Sequence, residues 1–171
     1  VNTTNSSIAD ANIWPNFILS NNGSGFVGYI DEFRISSTAR YTNTFTVPAT
    51  DFAMDAMTIV LNKFNIQPSP STYTVTNAVP STTITRYGQS CLVGDGKYFS
   101  MTMPSTPSAW TVEMWVNIDT LGSVVAADET DNYPLFAAGT FGAQLSVTPA
   151  GVLILNTGNG DAWLLTLTDS V

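Results

Sequence analysis

Phe26-Val27-Gly28-Tyr29-Ile30-Asp31-Glu32-Phe33-Arg34-Ile35 follows a turn-forming run, Asn21-Asn22-Gly23-Ser24-Gly25. Aromatic and β-branched residues dominate the segment, which therefore reads as a β-strand. From Gly28 a strict two-residue period puts Ile30, Glu32 and Arg34 on one face and Tyr29, Asp31, Phe33 and Ile35 on the other. Carboxylates and an arginine then lie on both faces of an otherwise apolar strand. Such a strand belongs near a rim or under a loop, because open solvent would not select the aromatics and a dry core would not accept the charges.

Working outward, apolar segments recur at short spacing. Ile13–Ser20 and Thr58–Phe64 read as strands, followed by Tyr73–Asn77, Thr83–Tyr87, Ser90–Val93, Tyr98–Met103, Trp110–Ile118, Leu135–Ala138, Gln144–Thr148, Val152–Asn156 and Ala162–Thr168. Turn signals separate them: Gly94-Asp95-Gly96, Pro104 to Pro107, Gly139 to Gly142, Pro149-Ala150-Gly151 and Gly158-Asn159-Gly160-Asp161. A short helical turn fits Ser36–Ala39, where a serine could cap it. Beyond Phe64 nothing carries a helical period. Evenly spaced short strands with such turns define an all-β sandwich or barrel.

Composition narrows the chemistry. The 171 residues suffice for one large sandwich or two small domains, and only 11% are charged against roughly 25% in an ordinary soluble domain. Five Lys and Arg against 13 Asp and Glu give a net charge of −8, which argues against DNA, RNA or anionic membrane as partners. Histidine is absent, which removes the commonest general base and transition-metal ligand. The single Cys91 has no histidine beside it for activation and reads as a small buried apolar side chain. No stretch approaches the roughly 20 apolar residues of a spanning helix. The opening on Val1, within an Asn/Thr/Ser-rich stretch holding two Asn-x-Ser/Thr triplets, suggests a processed or excerpted piece. A third triplet is Asn22-Gly23-Ser24.

Gly28-Tyr29-Ile30-Asp31-Glu32-Phe33-Arg34-Ile35-Ser36, with Ala39-Arg40-Tyr41 and Phe45 after it, resembles the closing strand of laminin-G-like, concanavalin A-like jelly-roll domains. Asp55-Ala56-Met57-Thr58-Ile59-Val60-Leu61-Asn62-Lys63-Phe64 resembles the opening strand of the same fold. Tyr87-Gly88-Gln89-Ser90-Cys91-Leu92-Val93-Gly94-Asp95-Gly96-Lys97-Tyr98 is similar to its D-G-x-x-D-Y element, with Val93 in place of an aromatic and Lys97 in place of an acid. Trp110-Thr111-Val112-Glu113-Met114-Trp115-Val116 resembles its F-T-I-E-F-W-V strand. The closing strand thus precedes the opening one. Either residues 1–50 end one such domain and 51–171 begin another, or 1–171 is one circularly permuted sandwich.

The resemblance implies candidate sites. Calcium in this family sits near the closing strand and the D-G turn, which makes Asp31 and Asp95 the candidate metal ligands; Asp31 also suits backbone amides or Arg34, and Asp95 suits a turn. Asp128-Glu129-Thr130-Asp131 is a second acidic cluster without the spacing of a calcium loop. Glu113 raises the glycosidase question, yet no second carboxylate stands near it in sequence on the same face, where two are needed. Among the aromatics, Tyr133 and Trp163 beside turn-rich loops are the candidate sugar platform. The expected function is non-enzymatic: a structural or adhesion module of a virion or other exterior assembly, as a capsid decoration, fibre or host-surface binder. The alternative is a carbohydrate-binding module of a secreted or surface protein. Expected partners are other protein subunits, further copies of the chain and surface glycan.

Overall fold

A computed structural model describes residues 16–19, 26–42, 45–64, 73–76, 78–94, 97–102, 109–120, 133–138, 143–148, 150–158 and 163–170. Every described element is a strand: β1 (Asn16–Leu19), β2 (Val27–Ser36), β3 (Thr58–Asn62), β4 (Tyr73–Thr76), β5 (Val79–Ser81), β6 (Ser90–Val93), β7 (Tyr98–Thr102), β8 (Thr111–Thr120), β9 (Tyr133–Ala138), β10 (Ala143–Val147), β11 (Val152–Gly158) and β12 (Trp163–Ser170). All described pairings are antiparallel. One sheet has seven strands in the order β12-β11-β10-β9-β1-β7-β4. The other has five, with β2 between β8 on one side and both β3 and β6 on the other, and β5 beyond β6. The all-β expectation holds, and most expected strands are present within a few residues.

The two sheets share one core. Ile30, Phe33, Ile35, Val60 and Val93 from the five-stranded sheet join Leu19, Phe99, Leu135, Phe136, Ala138, Ala143 and Val147 from the seven-stranded sheet in a single buried cluster. Phe33 and Phe136 meet across the interface with ring centroids 6.1 Å apart, and Phe64, just past β3, meets Phe99 edge-on at 5.6 Å. This is a sandwich arrangement, in which apolar alternation from facing sheets fills one layer. Residues 1–50 supply β1 to one sheet and β2 to the other, so pairing runs across the boundary expected at residues 50 and 51. Gly28 lies opposite Ile118, and Ile35 opposite Val112.

β2 departs from its expected period. Asp31 pairs with Trp115 and Arg34 with Glu113, so two residues of β2, Glu32 and Phe33, oppose the single Met114. Glu32 has φ 51°, the left-handed conformation in which such bulges accommodate their extra residue. The slip corrects the facial assignment: Ile30, Phe33 and Ile35 all point into the core, while Tyr29, Asp31 and Arg34 share the outer face. Bulk is excluded at Gly28, where a Cβ would run into the backbone oxygen of Asn117.

Two other segments differ from expectation. Thr83–Tyr87 is a loop, and the strand lies earlier, at β5. The Ser81 hydroxyl accepts the amides of Thr83 and Ile84 and turns the chain, while Asp31 takes the amides of Arg86 and Tyr87 that a ladder would have used. The helical turn expected at Ser36–Ala39 is a bend, because Ser36 ends β2 and its hydroxyl accepts from Arg40. In β9 a proline is tolerated because the ladder with β10 is irregular there, with Phe136 opposite Leu145 and Pro134 opposite Ser146.

Phe33 is the ring on which the two sheets meet. Phe33→Ala is expected to lower unfolding free energy by about 3–5 kcal/mol in urea titration. A loss below about 1 kcal/mol would contradict a shared core.

Candidate functional site

The outer face of the five-stranded sheet carries two constellations, both anchored on β2. The first is built around Arg34 and Glu113, which face each other across the β2–β8 ladder. Nε of Arg34 donates to Oε2 of Glu113 at 2.6 Å and Nη2 donates to Oε1 at 2.8 Å, a two-point pair with both side chains under 10% exposed. The remaining guanidinium nitrogen donates to the Ala53 carbonyl at 3.2 Å, and the guanidinium lies over the Phe52 ring. The Tyr41 hydroxyl donates to Oε1 of the same glutamate. Burial beside that carboxylate pushes the Tyr41 phenol above its ordinary value, so it remains a donor at any physiological pH.

Around this pair Ser36, Thr38, Arg40, Asp55 and Thr58 are tied to one another and to Thr111. Arg40 donates to both oxygens of Asp55 at 2.7 and 2.8 Å, to Thr58 at 3.1 Å and to Ser36 at 2.5 Å. That contact, reinforced by Thr58, holds the Asp55 carboxyl far below the usual carboxylate range. The Thr111 hydroxyl donates to the Thr38 carbonyl and accepts the Arg40 amide. At the bulge, Oε2 of Glu32 accepts the Phe52 amide at 2.6 Å, and Lys63 lies 3.9 Å from the other oxygen. Glu32 is fully buried, and burial raises its pKa despite the Phe52 amide and Lys63.

The second constellation surrounds Asp31, which is 3% exposed. Its Oδ2 accepts from the Thr85 hydroxyl at 2.9 Å and from the Arg86 and Tyr87 amides, each at 2.7 Å. Together with the Ser90 hydroxyl on the Ile84 carbonyl, this folds residues 82–89 over the sheet. A pocket of about 190 Å³ remains beneath, lined by Tyr29, Asp31, Ile84, Arg86, Trp115 and Asn117 among others. Arg86 lies over the Trp115 ring at 4.7 Å, and Tyr87 meets Trp115 edge-on at 6.2 Å. Oδ1 of Asp31 and Nε1 of Trp115 are buried without a hydrogen-bond partner.

Of the candidate metal ligands, Asp31 is turned to the 82–89 loop, and Asp95 lies outside the described residues. The surroundings of Asp31 fit calcium poorly: one oxygen is spent on three donors, while the ion takes six to eight oxygen ligands. Among the described residues no group of three or more Asp, Glu, Cys or His side chains converges. The cluster at residues 128–131 and the Asn-x-Ser/Thr triplets at Asn2, Asn5 and Asn22 also lie outside the described residues. Tyr133 is 5% exposed and belongs to the core cluster, which leaves no open ring face for a sugar. Trp163 opens β12, with its side chain outside the description. Aromatic and polar groups come together at Tyr29, Asp31, Arg86 and Trp115. Reading 83–87 as a strand hid this site. The signal for it was Asp31 itself, a carboxylate in an apolar strand that needed donors from outside the ladder.

Cys91 is 4% exposed, and burial raises its thiol to about 11, so it is a packed side chain and not a reactive one. Comparison with protein-family models, with curated proteins and with solved structures finds no match.

Two outcomes follow from the first constellation. Glu113→Ala leaves Arg34 buried without its partner and is expected to cost about 3–5 kcal/mol in urea unfolding; an effect as small as that of an exposed pair would contradict its role. Glu32→Gln keeps an oxygen for the Phe52 amide while removing the charge. Because the folded pKa of Glu32 is raised, its contribution is fully present below the ordinary value of 4.5 and is lost as pH rises through the folded value. Melting curves should therefore favour the Gln variant more at pH 7 than at pH 4, and a difference independent of pH would contradict the assignment.

Proposed function

We propose that this chain is a non-enzymatic binding module, a concanavalin A-like (laminin-G-like) jelly roll that serves as a structural or adhesion element on the exterior of a virion or comparable assembly. The observation that carries the reading is the fate of the chemistry-bearing side chains. Glu113, the carboxylate that raised the glycosidase question, has both oxygens engaged by Arg34 and one also by Tyr41. Asp31 and Glu32 each have one oxygen engaged, by the Thr85 hydroxyl and the Arg86 and Tyr87 amides and by the Phe52 amide, and both oxygens of Asp55 are held by Arg40. Groups so engaged stabilise a surface and are poorly placed to transfer protons.

The two antiparallel sheets with a common core, together with the resemblance of β2, β3 and β8 to the family's closing, opening and F-T-I-E-F-W-V strands, support the jelly-roll assignment. Direct pairing of β2 with β8 supports a single permuted sandwich over the tail of one domain joined to the front of another. Exposed Val47, Met54 and Met57 on the 45–57 segment suit contact with other protein subunits. Net charge of −8 supports protein or glycan partners over nucleic acid.

A second reading, a carbohydrate-binding module of a secreted or surface protein, is favoured by the pocket beside Tyr29, Asp31, Arg86 and Trp115. Imaging the native particle separates the two. The leading reading predicts density for this chain at symmetry-related exterior positions; a chain recovered only as a free soluble protein would overturn it.

A further inference from the structure

We infer that the free edge of β8 receives a β-strand from an extended arm of a neighbouring protein subunit, which lengthens the smaller sheet and covers the inner face of β11. This rests on the binding-module reading and names a site and a partner within it. Among the described residues β8 pairs with β2 alone, so Thr111–Thr120 presents unpaired backbone donors and acceptors on its far side. The core is open on that side. Val112, Met114 and Val116 pack against the core yet are only partly buried, and Ile118 is 40% exposed. On the adjoining β2, by contrast, Ile30, Phe33 and Ile35 are fully buried. The larger sheet runs on past this edge. Phe33 places β2 over β9, and Phe64 places the end of β3 over β7, so β8 comes to lie over β10. Strands β11 and β12 extend beyond it, with no described strand facing them. Leu153 on β11 packs against the core, and both it and Leu155 are only partly buried. An apolar floor continuous with the core therefore meets an open ladder edge.

The place takes a strand and not a whole domain. If two copies joined β8 to β8, the antiparallel pairing would set both larger sheets on the same side. The β11 and β12 of one copy would then fall where β10 and β9 of the other already stand. An extended segment meets no such obstacle, because neighbouring strands need only about 4.8 Å and the overhang is two strands wide. The pleat sets its side chains: apolar at every second position to face Leu153 and Leu155, and polar between to face solvent. Charge sets one end of it. Asp119, exposed near the end of β8, has no ion pair among the described residues, and the whole chain carries a net charge of −8, so a lysine or arginine belongs opposite it. Edges that proteins keep free are blunted with lysine or proline, and β8 has neither.

NMR on the isotopically labelled intact chain tests this, with a peptide as long as β8 that alternates valine with threonine and carries a lysine at each end. In the free chain the Cα protons of β8 should show cross-strand Overhauser effects to β2 alone. Adding the peptide should bring a second set, from β8 to the peptide. Ile118→Lys, at a position solvent already reaches, puts an ammonium group on the open edge and should weaken binding about tenfold, equivalent to about 1.4 kcal/mol. Asp119→Lys, also exposed, should weaken it through repulsion of the peptide's lysine and covers the case in which the first variant fails to fold. Effects in the free chain from β8 to any segment other than β2 would overturn the inference, since the edge would already be covered. So would a peptide that does not bind, or one whose affinity neither substitution changes. None of these results bears on the particle image, where the module reading itself stands or falls.

Discussion

Glu32 sits in the left-handed backbone region at φ 51°, and the two-for-one bulge it creates sets the direction of every side chain that follows on β2. Such a conformation costs a non-glycine residue on the order of 1–3 kcal/mol. Without it, Phe33 would turn outward and Arg34 would point into the core. With it, Ile30, Phe33 and Ile35 all serve the shared core, and Asp31 and Arg34 both reach the outer face. The strain is offset locally, because the same glutamate accepts the Phe52 amide. It is also offset more widely by apolar burial that an unbroken two-residue period could not give.

From that bulge outward, the architecture is a pair of clamps. Asp31 holds the 82–89 loop through one carboxylate oxygen, and Arg34 with Glu113 holds the 37–57 segment through Ala53, Phe52 and Tyr41. A buried ion pair of this kind adds little net stability over an apolar pair of equal volume, since desolvation offsets the attraction. Its worth lies in geometry: the fork of Arg34 and the two oxygens of Glu113 accept one arrangement of the loop and penalise others.

How much of this was legible follows from the range of each interaction. Alternation and turn residues are local signals, so β2, β3, β6, β8 and the strands from β9 to β12 were readable from the chain. The bulge was not, because its cause lies across the ladder and in the Phe52 amide, 20 positions away. The mixture of charge on both faces of an apolar strand was its visible symptom. Thr83–Tyr87 misled for a related reason: its threonines and tyrosine favour a strand, while the Ser81 hydroxyl and the carboxylate of Asp31, more than 50 positions earlier, take its amides and make it a loop. Tyr133 looked like an exposed platform because a long turn-rich stretch precedes it, whereas facing-sheet packing buries it. Asp31 was singled out as a candidate metal ligand; it lies on the outer face, where its Oδ2 accepts from the Thr85 hydroxyl and from the Arg86 and Tyr87 amides.

The central claim is that β2 is the shared middle strand of a single cooperative sandwich, with the clamped loops riding on it. Native-state amide hydrogen exchange tests it most directly. The amides of residues 27–36 and 111–116 should exchange only through the same global opening as those of 133–138 and 143–147, and the amides of Phe52, Arg86 and Tyr87 should be protected despite lying in loops. Exchange of residues 27–36 through a separate, lower-energy opening, with 133–138 and 143–147 still protected, would contradict it.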